Sequence, residues 1–223
     1  LEQLDLDPWR RNAVVVKIFG KPVLHNLLEN AHETRHKVFT SGGVGLCQRD
    51  SMLFPIVGEA GHTGFAPESL VQIKILSALH ERFDRVSDER LVSGPGLENL
   101  YWALARLHGE SVAPVSAAKI CELAEKNEDP RAVEAVQMFF EILGQVAGNM
   151  ALVLGARQGM FIAGGIAQRY PSMLLSSGFR AAFEAKGRHR SLMEKIPTQL
   201  IRYPQPGLLG ASYMALHLLN SSA

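Results

Sequence analysis

Cysteine is scarce in this chain. Only Cys47 and Cys121 occur, without a CxxC spacing, which excludes a secreted disulfide framework. Each is expected to act as a small hydrophobe in a reducing, cytoplasmic compartment. Charge of one sign is also missing: 23 Lys and Arg face 22 Asp and Glu, for a net charge of +1 spread along the chain. That leaves no basic face for nucleic acid. No apolar run approaches the ~18–20 residues a membrane span needs. The longest candidate, 150–167, is broken by Arg157, Gln158 and glycines. No basic-then-apolar leader is present, and neither a repeat nor a low-complexity tract. The chain begins at Leu1 rather than Met, which points to a fragment or a processed start.

What is there suits a globular protein. Apolar residues make up 47% of 223 and charged residues 20%, enough for one compact domain, or one and a half, with a real core. Ala13–Phe19 is β-branched and reads as a strand. Val23–Val38 has helical spacing, and Thr40–Leu46 reads as a glycine-rich turn. Pro67 is expected to open a helix with Leu70, Ile73, Leu76, Leu79 and Phe83 on its inner face. Ser93 starts a second, with Leu97, Leu100, Tyr101, Leu104 and Leu107 inward and Gly109 as its stop. Ser116 caps a third, through Lys126. Asp129-Pro130 opens a long helix carrying Val133, Val136, Phe140, Leu143, Ala147, Met150 and Leu154. In it, Gly144 and Gly148 sit four apart, a spacing that lets another backbone approach. Met160–Ala163 reads as a buried strand stopped by Gly164-Gly165, Phe179–Lys186 as a helix, Gln199–Tyr203 as a strand and Gly207–Leu219 as an apolar helix. Interleaved strands and helices make the class α/β.

Four motifs stand out within this frame. The first is Gly58-Glu-Ala-Gly-His62 followed by Gly64-Phe-Ala-Pro67. The second is Ser87-Asp-Glu-Arg-Leu-Val-Ser-Gly-Pro-Gly-Leu97 followed by Asn99-Leu-Tyr101. The third is Phe161-Ile-Ala-Gly-Gly-Ile166, and the fourth Ser177-Gly-Phe-Arg-Ala-Ala-Phe-Glu184 with Pro206-Gly-Leu-Leu-Gly210. In this order, across residues 53–215, they resemble the bacterial-type glucokinases among the actin-like sugar kinases. The resemblance implies a ribonuclease-H-like, actin-type ATPase fold, mainly its large C-terminal domain, with the N-terminal small domain largely missing. Residues 1–50 would be a non-matching segment, from truncation, fusion or a frame error. Residues 51–202 would form the large domain, and 203–223 a strand end and helix returning to the small domain.

The same resemblance implies ATP-dependent phosphorylation of glucose to glucose 6-phosphate, with ATP and Mg²⁺ as cofactors and neither nucleic acid nor membrane as a partner. It places Glu59, His62 and Glu89 on the glucose. A carboxylate accepts two hydroxyl donors, which suits sugar discrimination, and Glu59 and His62 stand three apart, so a turn aims both one way. It places Gly164 and Gly165 against the adenosine, where absent side chains let a base or ribose lie on backbone. Gly43 and Gly45, in Gly43-Val-Gly-Leu-Cys47, are further candidates for the phosphate side.

The family's Asp base, in an Asn-Asp-Phe-Thr segment, has no counterpart in these residues, nor does its Asp-x-Gly-Gly-Thr loop. The catalytic base is therefore unassigned, no metal ligand is assigned, and a non-catalytic sugar-binding or regulatory remnant is the alternative. A remoter one is a zinc metallopeptidase, because His32-Glu33-Thr-Arg-His36 fits HExxH with Glu33 as base. A solvated helix face accounts for that pattern more simply. The apolar C-terminal helix needs a surface to cover it, which implies a homodimer or other self-association, or docking of 1–50.

Overall fold

The computed structural model describes strands at 37–40, 44–49 and 52–57, residues 60–204 except 158, and Leu208. Three strands come first: β1 (Lys37–Thr40), β2 (Val44–Arg49) and β3 (Met52–Val57). They form an antiparallel meander, with Val38 opposite Gly45 and Leu46 opposite Pro55. Pro55 cannot donate to a ladder, and β3 lies at the edge of the sheet, where that costs least. β4 (Met160–Ile162) pairs parallel with β1, and β5 (Thr198–Leu200) pairs parallel with β4, giving the order β3-β2-β1-β4-β5. Parallel neighbours need long crossovers, and the helices supply them.

The chain divides into two compact units. The sheet belongs to one, together with Ala151–Gly164 and the chain from Ile196. The other holds Ala60–Met150 and Gly165–Lys195. Its first four helices are α1 (Leu70–Leu79), α2 (Gly94–Leu107), α3 (Ala117–Glu125) and α4, which spans Pro130–Val153 and runs on past Met150. Each starts where a side-chain oxygen meets an orphan N–H. The hydroxyls of Ser69, Ser93 and Ser116 accept from the N–H groups of Gln72, Gly96 and Lys119, and Asp129 Oδ1 accepts from Arg131. Such caps are worth about 0.5–2 kcal/mol each. Four short helices follow: α5 (Gly165–Arg169), α6 (Pro171–Leu175), α7 (Phe179–Glu184) and α8 (Arg190–Met193).

The core of this second unit is built from Ile75, Leu79, Leu97, Leu100, Leu104, Ile120, Phe140, Ile142 and Phe183, all fully buried. Gly144 and Gly148 of α4 do face a backbone: a Cβ on them would stand 2.1 Å from Phe179 O and 2.6 Å from Phe183 O. The motif beginning at Ser177 is thereby explained as packing. The Ser177 hydroxyl accepts from Phe179 N and donates to Leu174 O, starting α7, whose Phe179 and Phe183 rings stack with centroids 6.4 Å apart. Cys121 is buried, and burial pushes its thiol up to about 11, with Glu125 adding a little and the Arg169 charge opposing. It stays a protonated, apolar group.

Several sequence expectations need correction. The first helix opens at Ser69 rather than Pro67, and its inner face is Gln72, Ile75, Ala78 and Leu79, while Leu70 and Ile73 are 78% and 51% exposed. Gln72 sets this rotation, because its amide is fully bonded inside. Leu107 ends α2 at the surface rather than inward. Val38, read as a helix end, is in β1, and Val44–Leu46, read as turn, is in β2. One helix among the described residues, α4, is long and apolar enough by length and composition to cross a membrane, with mean hydropathy 1.3 over 18 residues, 67% of which are buried in the protein. Ala13–Phe19, His32-Glu33-His36, Gly43, Glu59 and, Leu208 apart, the C-terminal helix lie outside the described residues.

Candidate functional site

Two segments of the second unit meet side by side. Gly64 bridges Ser87 in antiparallel fashion, Phe65 N donates to Val86 O, and Asp88 N donates to Thr63 O. Each segment ends in a single 3₁₀ turn, Ala60–His62 and Asp88–Arg90. The pairing brings His62 and Glu89 together, with His62 Nε2 3.5 Å from Glu89 Oε2. Their side chains are 59% and 39% exposed, so both remain open to a ligand. Of the three residues read from the sequence for the sugar, these two are adjacent.

The second motif shows why Glu89 stands where it does. Ser93 Oγ donates to Glu89 O while accepting Gly96 N, and the buried Asn99 donates through Nδ2 to Arg90 O at 3.0 Å. A Cβ on Gly96 would lie 2.5 Å from the Leu91 carbonyl carbon, so only glycine lets the first turn of α2 press this close to the loop. Serine, glycine and asparagine of the motif thus hold the backbone from Glu89 to Leu91.

Sequence reading missed a second layer. Thr63 Oγ1 lies 2.7 Å from Ala60 O and 2.7 Å from Asp88 Oδ2. Burial pushes the Asp88 carboxyl up to about 6 against the opposing effect of the Thr63 hydroxyl. Behind them, Gln72 Nε2 donates to Glu141 Oε1 and Gln145 Oε1, Gln72 Oε1 accepts from Glu68 N, and Gln145 Nε2 donates to Ala66 O. This buried network ties Ala66–Glu68 to α1 and α4. The signal for Gln145 was present: Glu141, Gln145 and Asn149 recur every four residues along a helix that is otherwise mostly apolar there. Thr63, Asp88, Gln145 and Asn149 also line a pocket of about 190 Å³, together with Phe65, Val146 and Met150.

β4 of the first unit runs into Gly164, whose φ of +136 favours glycine, and nothing stands within 4 Å of a Cβ built there or on Gly165, the first residue of α5 in the second unit. The turn therefore leaves bare backbone. Gly45 lies inside β2, between Val38 of β1 and Ile56 of β3. Among the described residues no cluster of three or more His, Cys, Asp or Glu could hold a metal ion.

The glucokinase family model matches residues 31–218. The chain is 44% identical over 171 residues to a glucokinase from Zymomonas mobilis, an alignment covering 77% of this chain and 52% of that protein. The chain thus spans about half the length of the relatives it matches. A glucokinase crystal structure from an Antarctic psychrotroph superposes with a TM-score of 0.75 at 29% identity, covering 93% of this chain and 62% of that one. A ROK family glucokinase from Streptomyces griseus, solved with glucose and AMPPNP, shares the fold with a TM-score of 0.57 at 17% identity, covering 83% and 61%. The α/β, ribonuclease-H-like actin-type fold read from the motifs is that of these sugar kinases.

Proposed function

The chain belongs to the glucokinase family, and on that premise we propose that it carries the glucose-binding half of a kinase that moves the γ-phosphoryl group of ATP to the 6-hydroxyl of glucose. The observation that carries the reading is the pairing of His62 with Glu89 on two open turns, within motifs the family shares. Glu89 and Glu59 accept sugar hydroxyls. His62 donates or accepts according to its tautomer.

ATP lies with its adenosine on the bare turn at Gly164 and Gly165; the positive φ and the open space above both glycines fit such a ligand. Gly45, in β2, and Gly43, outside the described residues, are the candidates for contact with its phosphates. Mg²⁺ would enter with the nucleotide, no ligand for it being assigned among this chain's residues, and would supply charge neutralisation at the transferring phosphoryl group. The chain's own work is to bind and orient the sugar.

Phosphoryl transfer also needs a group that takes the proton of the attacking hydroxyl. The 223 residues contain no Asn-Asp-Phe-Thr segment. These residues alone are therefore expected to bind glucose and to turn it over poorly, since a missing base costs about 10²–10⁴ in rate. A coupled phosphorylation assay, run beside a fusion restoring a family N-terminal domain, tests both halves. Turnover by the chain alone within tenfold of about 1–100 s⁻¹ would refute the absent base. Failure of the fusion to bind glucose at all would refute the sugar reading.

A further inference from the structure

We propose that Asp88 is a positioning residue for the His62–Glu89 pair, acting through one proton that it shares with the Thr63 hydroxyl. Its bearing on sugar rests on the glucose reading above; its bearing on the loops does not.

The geometry sets a counting problem. Thr63 Oγ1 is 2.7 Å from Ala60 O and 2.7 Å from Asp88 Oδ2. A hydroxyl donates one proton, and a backbone carbonyl only accepts. Both contacts are hydrogen bonds only when the second proton sits on Asp88. The acid then donates to Thr63 Oγ1, and Thr63 donates to Ala60 O. When Asp88 loses that proton, Thr63 turns its own proton to the carboxylate, and Ala60 O keeps only the Thr63 backbone N–H, at 3.1 Å. The proton lost goes to solvent.

The two ends of this relay are the two carriers of the site. Ala60–Thr63 contains His62, and Glu89 follows Asp88 in the opposite turn. Relaxing the relay lets one turn shift against the other and changes the 3.5 Å His62–Glu89 spacing. Asp88 is 6% exposed, and its carboxyl, at about 6, would change state between about pH 5 and 7. Among the described residues, the other ionisable groups on the two turns are His62, Glu89 and Arg90, with Glu68 and Arg85 further along the same segments. Helix α4 presents Gln145 and Asn149 to the pocket that Asp88 lines, and neither titrates.

Two measurements on the full chain separate this proposal from the glucose reading. Carbon NMR of the Asp88 carboxyl, without sugar, should give a midpoint near 6, with the Ala60–Thr63 amide resonances moving at that same midpoint. Asp88→Asn, whose amide can donate to Thr63 but does not titrate, should abolish that step. A midpoint near the ordinary ~4, or turn resonances that ignore Asp88, overturns the proposal. Glucose calorimetry then reads the consequence. Raising pH from 5 to 7.5 should weaken wild-type binding roughly two- to tenfold, the range one hydrogen bond supplies. Asp88→Asn should remove that component, and Thr63→Val should weaken binding at every pH, with Thr63→Ser restoring it. Identical pH dependence in wild type and Asp88→Asn overturns the sugar role. A shared NMR step with no glucose binding at any pH leaves the proton relay standing and refutes both that role and the glucose reading.

Discussion

The contact of α4 with α7 and the meeting of the His62 and Glu89 turns lie in the same unit, and they are held by opposite means. At the first, backbone meets backbone through Gly144 and Gly148, with no space for even a methyl group. Two glycines inside a helix cost roughly 0.5–1 kcal/mol each relative to alanine, and they stand there because Phe179 and Phe183 dock against them. At the second, little is packed. Hydrogen bonds from Ser93, Asn99, Thr63 and Gln145 fix exposed turns. Volume governs the first region and proton bookkeeping the second, so substitutions should damage stability alone in the first and should reach binding as well in the second.

The largest expected effect breaks the packed side. Gly144→Val puts a branched side chain into the Phe179 carbonyl, and overpacking of this kind costs about 1–3 kcal/mol or more. Urea denaturation should show a midpoint shifted far down or no cooperative transition. Gly148→Ala should cost less, because Lys186 Cε, one of the two atoms in the way, can move.

Next comes Gln145→Ala, which strands the buried donor of Gln72 and the carbonyl of Ala66. Unsatisfied buried groups cost about 1–3 kcal/mol, and equilibrium unfolding measures it. Unlike the glycine variants, this one should also weaken sugar binding, since Ala66 belongs to the segment that carries His62.

A smaller effect lies with pH. The native Asp88 carboxyl is raised to about 6 from an ordinary 3.8, so the folded state binds this proton more tightly than the unfolded chain. Its contribution is fully present below about pH 4, falls as pH rises, and is gone above about 6. Asp88→Asn should flatten that decline in a series of urea melts from pH 4 to 7. A wild type that gains stability over this window by as much as the variant does would contradict the assignment.

The packed side could be read ahead of the structure. Ser93, Ser116 and Asp129-Pro130 announced helix starts by side-chain chemistry that acts over two or three residues, and the Gly144–Gly148 spacing announced a close approach. The face of α1 could not be read that way. Leu70 and Ile73 had the right spacing for a core, yet Gln72 turns inward to meet Gln145, 73 residues away. A buried amide is favourable only when its partners are in place, and those partners are invisible to local periodicity. The Thr63–Asp88 contact was hidden for the same reason, although both residues stood in or beside quoted motifs. The sheet was harder still, because short strands such as Lys37–Thr40 owe their state to the neighbour they pair with.

The smallest stability effect belongs to the site residues themselves. Exposed His62 and Glu89 should change unfolding free energy by less than about 0.5 kcal/mol when replaced, while their loss is felt by the sugar. Calorimetric titration of glucose into wild type, Glu59→Gln and Glu89→Ala tests the central claim most directly. Wild type should bind glucose measurably, Glu59→Gln should weaken binding most, at the roughly tenfold or greater loss that a charged acceptor supplies, and Glu89→Ala should weaken it less, with all three equally folded. Equal glucose affinity in wild type and both variants would contradict it.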